Sequence, residues 1–257
     1  MQDINQAIAN VERTFPIPGY TRQNAAAYRT LAEIALRYLS PAARILDIGS
    51  GPCDKAAVLQ RLGFRCVAVD DLNDPWHKEG DATQKILEFA SDAGIEFHRA
   101  EAAALPIEGS SFDMVMLCDV IEHLHQSPRE LLIAAIASIR PRGILVITVP
   151  NAVNLRKRLH VLVGKTNLPP FDAYFWWPGE WRGHVREYVR GDLEQLTRFL
   201  GIEVLELRGV NHMLEQLPHF LRQPFVRLTH FAQGLRDSWV LVARRPEGWQ
   251  PVLKRRD

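Results

Sequence analysis

From residue 44 onward, short apolar runs alternate with segments whose apolar positions recur every three or four residues. The runs Arg44–Ile48, Phe64–Val69, Glu96–Arg99, Phe112–Cys118 and Gly143–Val149 read as strands. The segments between them read as helices, over Ala56–Leu62, near Thr83–Ala93 and over Pro128–Ile139. Ahead of them, residues 22–39 carry Ala27, Leu31, Ile34, Ala35 and Tyr38 at helical spacing, whereas residues 1–20 are mixed and end in a turn at Pro16–Gly19. Strands 112–118 and 143–149 are apolar on both faces, so both faces need cover. Strands alternating with helices predict a parallel sheet between helical layers.

The pattern changes after Pro150. Residues 151–185 are rich in Asn, Pro, Trp and Gly, with a basic helix near 153–163, and read as an insertion over the sheet close to the acceptor site. Regular structure resumes with helix Gly191–Leu200, strand Glu203–Leu207, a mixed stretch 211–235 and strand Ser238–Ala243. The last two strands enclose no crossover of the earlier length, which predicts an antiparallel final strand. The expected fold is therefore α/β and doubly wound: a seven-stranded, mostly parallel sheet with helices on both faces and an antiparallel last strand. Residues 1–257 read as a single domain, with residues 1–40 as a helical lid.

Composition narrows the class. Hydrophobic residues make up 47% of the chain and charged residues 24%, as in soluble globular proteins. A net charge of +1 gives no global field toward nucleic acid, and the runs Arg156-Lys157-Arg158 and Lys254-Arg255-Arg256 read as solvated patches. The cysteines Cys53, Cys66 and Cys118 form no CxxC pair, which argues against a zinc cluster or a disulfide framework and for a reducing compartment. Asp3 and Glu12 interrupt the N-terminus, so no signal peptide is expected, and no apolar run reaches the roughly 18 residues of a membrane span. A cytoplasmic location is expected; nothing specifies an oligomeric state.

The strand Arg44–Ile48 runs into Gly49-Ser50-Gly51, where the backbone can turn sharply and a ligand can approach without meeting a Cβ. Asp70 and Asp71 follow about 20 residues on, at the end of the second strand, where an acid can accept ribose hydroxyls. The dinucleotide fingerprint G-x-G-x-x-G fails because Asp54 takes its last position. A tight turn alone would explain the glycines; the acids make a nucleotide site the better reading.

Ile45–Gly51 resembles the first motif of class I S-adenosylmethionine-dependent methyltransferases, D-x-G-x-G-x-G. Asp47, Gly49 and Gly51 match it and Cys53 replaces the third glycine. The resemblance covers residues 40–150 closely and 184–245 more loosely. It implies S-adenosylmethionine as cofactor, held by Asp47, Gly49, Ser50 and Gly51, with Asp70 and Asp71 at the ribose. It also implies an adenine segment at Glu101-Ala102, followed by Leu105-Pro106, and places Cys118 beside the cofactor.

The fourth strand ends in Asp119-Val120-Ile121-Glu122-His123-Leu124-His125. On a helical turn Asp119 would share a face with Glu122 and His123, and such a set can hold a divalent cation. His125 falls on the next turn and is expected at the surface. Arg182–Tyr188 resembles a histidine motif of two methyltransferase branches, one O-methylating ubiquinone precursors and one methylating the 3′-ends of small RNAs. That resemblance implies a metal site, with magnesium as the expected ion, made of Asp119, Glu122, His123 and His184, although the first position is Asp where those branches have Glu. Without a metal, His123 or His184 would serve as a general base. The aromatics of Pro169–Pro178 could form a platform for a sugar or an aromatic ring, or a packed lid.

A hydroxyl acceptor needs its proton removed, which favours O-methylation of a small molecule, sugar or phenolic. A nucleic-acid partner is disfavoured by the charge balance, and a non-catalytic cofactor-binding module by the intact Asp119, Glu122, His123 and His184.

Overall fold

The computed structural model describes residues 3–101, 109, 111–214 and 217–252. Among these, the strands β1 (Arg44–Ile48), β2 (Arg65–Asp70), β3 (Glu96–Arg99), β4 (Phe112–Cys118), β5 (Ile139–Pro150), β6 (Glu203–Val210) and β7 (Ser238–Arg244) form one sheet. Its order is β3-β2-β1-β4-β5-β7-β6. β1 to β5 pair in parallel, and β7 pairs antiparallel with both β5 and β6. The expected doubly wound sheet with an antiparallel last strand is thus present. β6 runs the same way as β5, so the C-terminal ends of β1, β4, β5 and β6 share one edge of the sheet.

The side-chain period of two sorts the sheet's residues onto two cores. Ile45, Met114, Met116, Val146 and Val242 lie under α1 (Ile4–Thr14), α2 (Tyr20–Tyr38), α3 (Asp54–Arg61) and α4 (Ala82–Asp92). Leu46, Val115, Leu117, Ile147 and Leu241 face α5 (Arg129–Ser138) and α8 (Arg190–Leu200). Phe112 joins the second core although its even number belongs with Met114; the β4–β5 register shifts between these two residues, with the extra residues in β5.

Three elements depart from the sequence reading. Residues 4–14 form α1, capped by the Asp3 carboxylate at 2.8 Å from the Asn5 amide, and they bury Ala7, Ile8 and Val11. The polar residues between those positions hid the period. β5 begins four residues earlier than expected. The stretch read as mixed contains α9 (His219–Phe231), which carries Pro224 inside it and whose apolar residues mostly face solvent. Within the insertion lie α6 (Leu155–Leu162) and α7 (Phe171–Phe175).

Candidate active site

The sheet order reverses at β1, which pairs with β2 on one side and β4 on the other. In sheets of this kind such a reversal leaves a crevice at the strands' C-terminal ends, the usual ligand position. The amides of Gly49 and Ser50 donate to the Val69 carbonyl at 2.8 and 3.2 Å, holding the glycine loop against β2. Gly49 has φ +69°, and a Cβ there would lie 2.6 Å from a Val120 methyl, so glycine is required. Gly51 donates its amide to the Asp70 carboxylate at 2.7 Å. Ser50 is buried beneath the turn. Cys53, in the family's third glycine position, keeps a glycine-like φ of 62° and is fully buried.

Asp47 lies under this loop, 1% exposed, and neither carboxylate oxygen has a hydrogen-bond partner among the described residues. Burial pushes its carboxyl up to about 7, with Lys55 opposing. An orphaned buried carboxylate beside an open glycine turn suits a ligand that carries a positive charge or N–H donors. Asp70 also accepts the Leu72 amide at 2.7 Å. Burial raises its carboxyl despite these two amides.

Asp71 is placed differently. Its carboxylate meets Arg182 at 3.2 Å, and Arg182 also donates to Asp74 at 2.9 Å, tying the insertion to the loop after β2. Burial works against ionised Asp71, but the Asn73 amide and Arg182 outweigh it and hold the carboxyl low. Glu101 is exposed just beyond β3, while Ala102, Leu105 and Pro106 lie outside the described residues. Cys118 is buried at the end of β4 in the core under α1 to α4, where burial pushes its thiol well above the usual range.

Sequence reading missed the polar floor of the crevice. The Tyr28 hydroxyl donates to Asp54 at 2.6 Å, fixing α2 to the start of α3. Lys55 lies 4.0 Å from Asp119; burial disfavours its charge, but Asp54 and Asp119 outweigh that and raise its pKa well above the ordinary value. No motif marks Lys55, because its role depends on β4 returning beside β1. From the expected lid, Tyr20 sets its ring 5.5 Å from that of Trp76, whose neighbour His77 is buried with both ring nitrogens unpartnered among the described residues.

The acceptor side is built from two segments. Asp119 has a φ of 61° and its amide donates to Thr148 at 3.0 Å, extending the pairing of β4 with β5. Helical geometry starts only at the short turn Ile121–His123, so the expected helical face with Asp119 does not form. The Asp119 carboxylate instead accepts from Thr148 at 3.2 Å and approaches Lys55. The other three expected residues converge: Glu122, His123 and His184 each offer a ligand atom within 4.8 Å of the others.

Several contacts hold this cluster. The Glu122 carbonyl accepts the amides of Val185 and Arg186 at 2.7 and 3.2 Å, docking the histidine segment onto the end of β4. Gly183 packs on the Trp181 ring so closely that a Cβ would fall 2.0 Å from it. His123 Nδ1 bonds the Arg182 carbonyl at 2.7 Å, and His184 Nδ1 bonds Glu187 at 2.8 Å. Both rings therefore keep Nε2 free of hydrogen bonds among the described residues. Glu122 is fully buried, and its carboxylate also lacks a partner there. Burial, reinforced by Asp119, pushes that carboxyl well above the usual range. Burial, with His123 and Lys157 alongside, pushes the His184 imidazole down to about 4. His125, exposed as expected, bonds the Trp181 carbonyl at 2.6 Å.

Glu187 holds the His184 ring and also pairs with Lys157, which α6 turns inward. The sequence hides this triad because Lys157 sits inside a basic run that reads as surface. Glu187 acts as a positioning residue for His184. Glu187→Ala is expected to cut activity by about 10- to 100-fold, as losses behind a ligating histidine do, and Glu187→Gln to recover most of it. Equal losses in the two variants would show that the carbonyl-type acceptor does not orient the ring.

The fold, the glycine loop and the two acids define a class, the S-adenosylmethionine-dependent methyltransferases. The chain belongs to the family described as "methyltransferase domain", which matches residues 20–207. Its relatives include proteins named ubiquinone biosynthesis O-methyltransferase. The one from Rickettsia canadensis is 22% identical over 167 residues, covering 65% of this chain and 65% of the relative. The one from Roseobacter denitrificans is 27% identical over 168 residues, covering 65% of this chain and 62% of the relative. The matches thus span just under two thirds of those proteins. Among solved structures, the fold resembles the 1,6-didemethyltoxoflavin-N1-methyltransferase of Burkholderia thailandensis, with a TM-score of 0.54, 19% identity, and coverage of 86% of this chain and 79% of that one.

Proposed function

We propose that this protein transfers the methyl group of S-adenosylmethionine to a hydroxyl of a small molecule, a sugar or a phenol. In this reading Glu122, His123 and His184 hold a divalent cation, magnesium first among the candidates, that lowers the pKa of that hydroxyl. The carrying observation is the convergence of these three side chains at the edge of the sheet where the cofactor loop also ends. Bound S-adenosylmethionine supplies an electrophilic methyl carbon. The unpartnered Asp47 carboxylate suits its charged end, and Asp70 suits its ribose hydroxyls. The buried Glu122 carboxylate fits a cation for the same reason: no described protein group compensates its charge. Each histidine is oriented through Nδ1, the arrangement found behind metal-binding imidazoles. The names of the ubiquinone-biosynthesis relatives support a small hydroxylated acceptor, and the net charge of +1 weighs against RNA.

Calorimetry with Mg²⁺ or Mn²⁺ is expected to show binding that Glu122→Gln removes. Chelation should abolish methyl transfer, tested on a panel of sugars and phenols, and metal should restore it. A second reading has its own support: both rings are held through Nδ1 and leave Nε2 free to accept the hydroxyl proton directly. Full activity after exhaustive chelation would establish that histidine-base route and remove the metal.

A further inference from the structure

Arg182 reaches both halves of the site through different atoms of one residue. Its side chain meets the donor half: Nε donates to the Asp74 carboxylate at 2.9 Å, and a terminal nitrogen donates to the two Asp71 oxygens at 3.3 and 3.2 Å. Its main chain meets the acceptor half: the Arg182 carbonyl accepts from His123 Nδ1 at 2.7 Å. A carbonyl can only accept, so His123 Nδ1 carries a proton.

On the donor side, the acids that hold Arg182 belong to a turn that starts at Asp70. The Asp70 carboxylate accepts the amides of Gly51 and Leu72, each at 2.7 Å, and the Asp71 carboxylate accepts the Asn73 amide at 2.8 Å. Bonds from an acid to the amide two residues on fix a turn locally. Leu72, fully buried at a φ of 51°, anchors it from beneath. Asp70, Asp71 and Asp74 crowd three carboxylates into five residues, and the Arg182 guanidinium bridges two of them.

On the acceptor side, residues 181–184 are tied into one piece. The Trp181 carbonyl accepts from His125 at 2.6 Å, the Trp181 indole donates to the His184 carbonyl at 3.3 Å, and Gly183 is pressed against that ring. The His123 and His184 rings meet edge to face at 4.9 Å. A displacement of Arg182 therefore reaches both imidazoles. Stability does not account for the bridge, because the Arg182 side chain is 36% exposed and ion pairs at such exposure contribute little. Its effect is to fix where the acceptor strap stands relative to the Asp70 turn.

We propose that Arg182 is a positioning residue that couples the two halves of the site. The turn 70–74, steadied when cofactor occupies Asp70, holds the guanidinium, and the Arg182 carbonyl then presents the His123 and His184 rings to metal or acceptor. Such coupling is reciprocal, so an occupied acceptor cluster tightens the cofactor by the same factor. The inference rests on the reading of Asp70 as the ribose acid and of Glu122, His123 and His184 as the acceptor cluster.

Two measurements on the full chain test it, and neither needs turnover. The first is Mn²⁺ affinity by calorimetry, with and without saturating S-adenosylhomocysteine. The wild type is expected to bind Mn²⁺ about fivefold tighter or more when S-adenosylhomocysteine is present, the lower end of ordinary coupling. Arg182→Gln leaves the carbonyl at position 182 in place and cuts only the bridge, so the ratio is expected to fall within about twofold of one. Arg182→Lys, which keeps the charge and loses the fork, should recover part of it, and Asp74→Asn, which weakens the bridge from the other side, should fall between. Circular dichroism checks that each variant is folded. The second measurement follows the His123 Nδ1 proton by NMR in protein labelled on its histidine ring nitrogens, with His123→Gln for assignment. S-adenosylhomocysteine is expected to slow exchange of this proton with solvent in the wild type and to leave it unchanged in Arg182→Gln. A wild-type Mn²⁺ ratio of one, or a ratio or ring response that survives Arg182→Gln, overturns the proposal. So does a loss of S-adenosylhomocysteine affinity of about tenfold or more in metal-free Arg182→Gln, the size of a lost charged hydrogen bond, because Arg182 then touches the cofactor itself. If the wild type binds no Mn²⁺ in either state, the metal reading fails and the ring response alone decides the coupling.

Discussion

Replacing His123 or His184 by alanine is expected to lower turnover by about 10²- to 10⁴-fold while leaving S-adenosylhomocysteine affinity within about twofold. Both schemes for the acceptor hydroxyl pass through these rings, as metal ligands or as the proton acceptor. In the proposed site the donor side rests on other groups: the glycine turn at residues 49–51, the Asp70 carboxylate and the buried Asp47. His123 sits in the turn Ile121–His123 and His184 on the strap that the Glu122 carbonyl docks, so truncation leaves the glycine loop's own hydrogen bonds in place. The lost contacts are one hydrogen bond each, at about 1 kcal/mol, too little to unfold the chain. Turnover is measured with the best acceptor from the panel and affinity by calorimetry. Full activity in both variants would falsify the acceptor-side assignment; lost affinity would make the histidines part of the donor site instead.

The donor half of the site was legible because it is local. Asp47, Gly49 and Gly51 stand in one strand-to-turn run, and the period of two told where β2 would deliver Asp70. The same period exposed the sheet's order of strands and helices, since strands buried on both faces read as unbroken apolar runs. The acceptor half was legible only in part. Glu122 and His123 are adjacent in sequence, and His184 was found through its motif. Their partners were hidden. Lys157 and Glu187 are thirty residues apart and meet because α6 turns one basic side chain inward while its neighbours stay out. Asp119 looked like a fourth ligand under helical spacing, but its positive φ ends β4 one residue later and sends its carboxylate toward Thr148 and Lys55. α9 escaped because Pro224 inside it reads as a helix breaker.

Asp47→Asn is expected to separate cofactor binding from stability in opposite directions. The Asp47 carboxyl titrates near 7 in the fold and near 3.8 once the chain unfolds. Between those values the native state holds a proton that the unfolded state has released, so stability without cofactor falls as pH rises toward 7. Above 7 the accumulated cost reaches on the order of 4 kcal/mol, at about 1.4 kcal/mol per unit. Asparagine never ionises and avoids that cost, though its buried amide remains unpartnered and gives back roughly 1–3 kcal/mol. The variant should therefore melt a few degrees above the wild type at pH 8, and the gap should shrink toward pH 5. S-adenosylhomocysteine binding should weaken about 10²-fold or more, because the charge that suits the ligand's ammonium is gone. A variant that is no more stable at pH 8 than at pH 5, relative to wild type, would mean that a donor already compensates Asp47 in the free protein. Retained affinity would place the charged end of the cofactor elsewhere in the crevice, with Asp54 or Asp119, the acids flanking Lys55, as the next carboxylates to substitute.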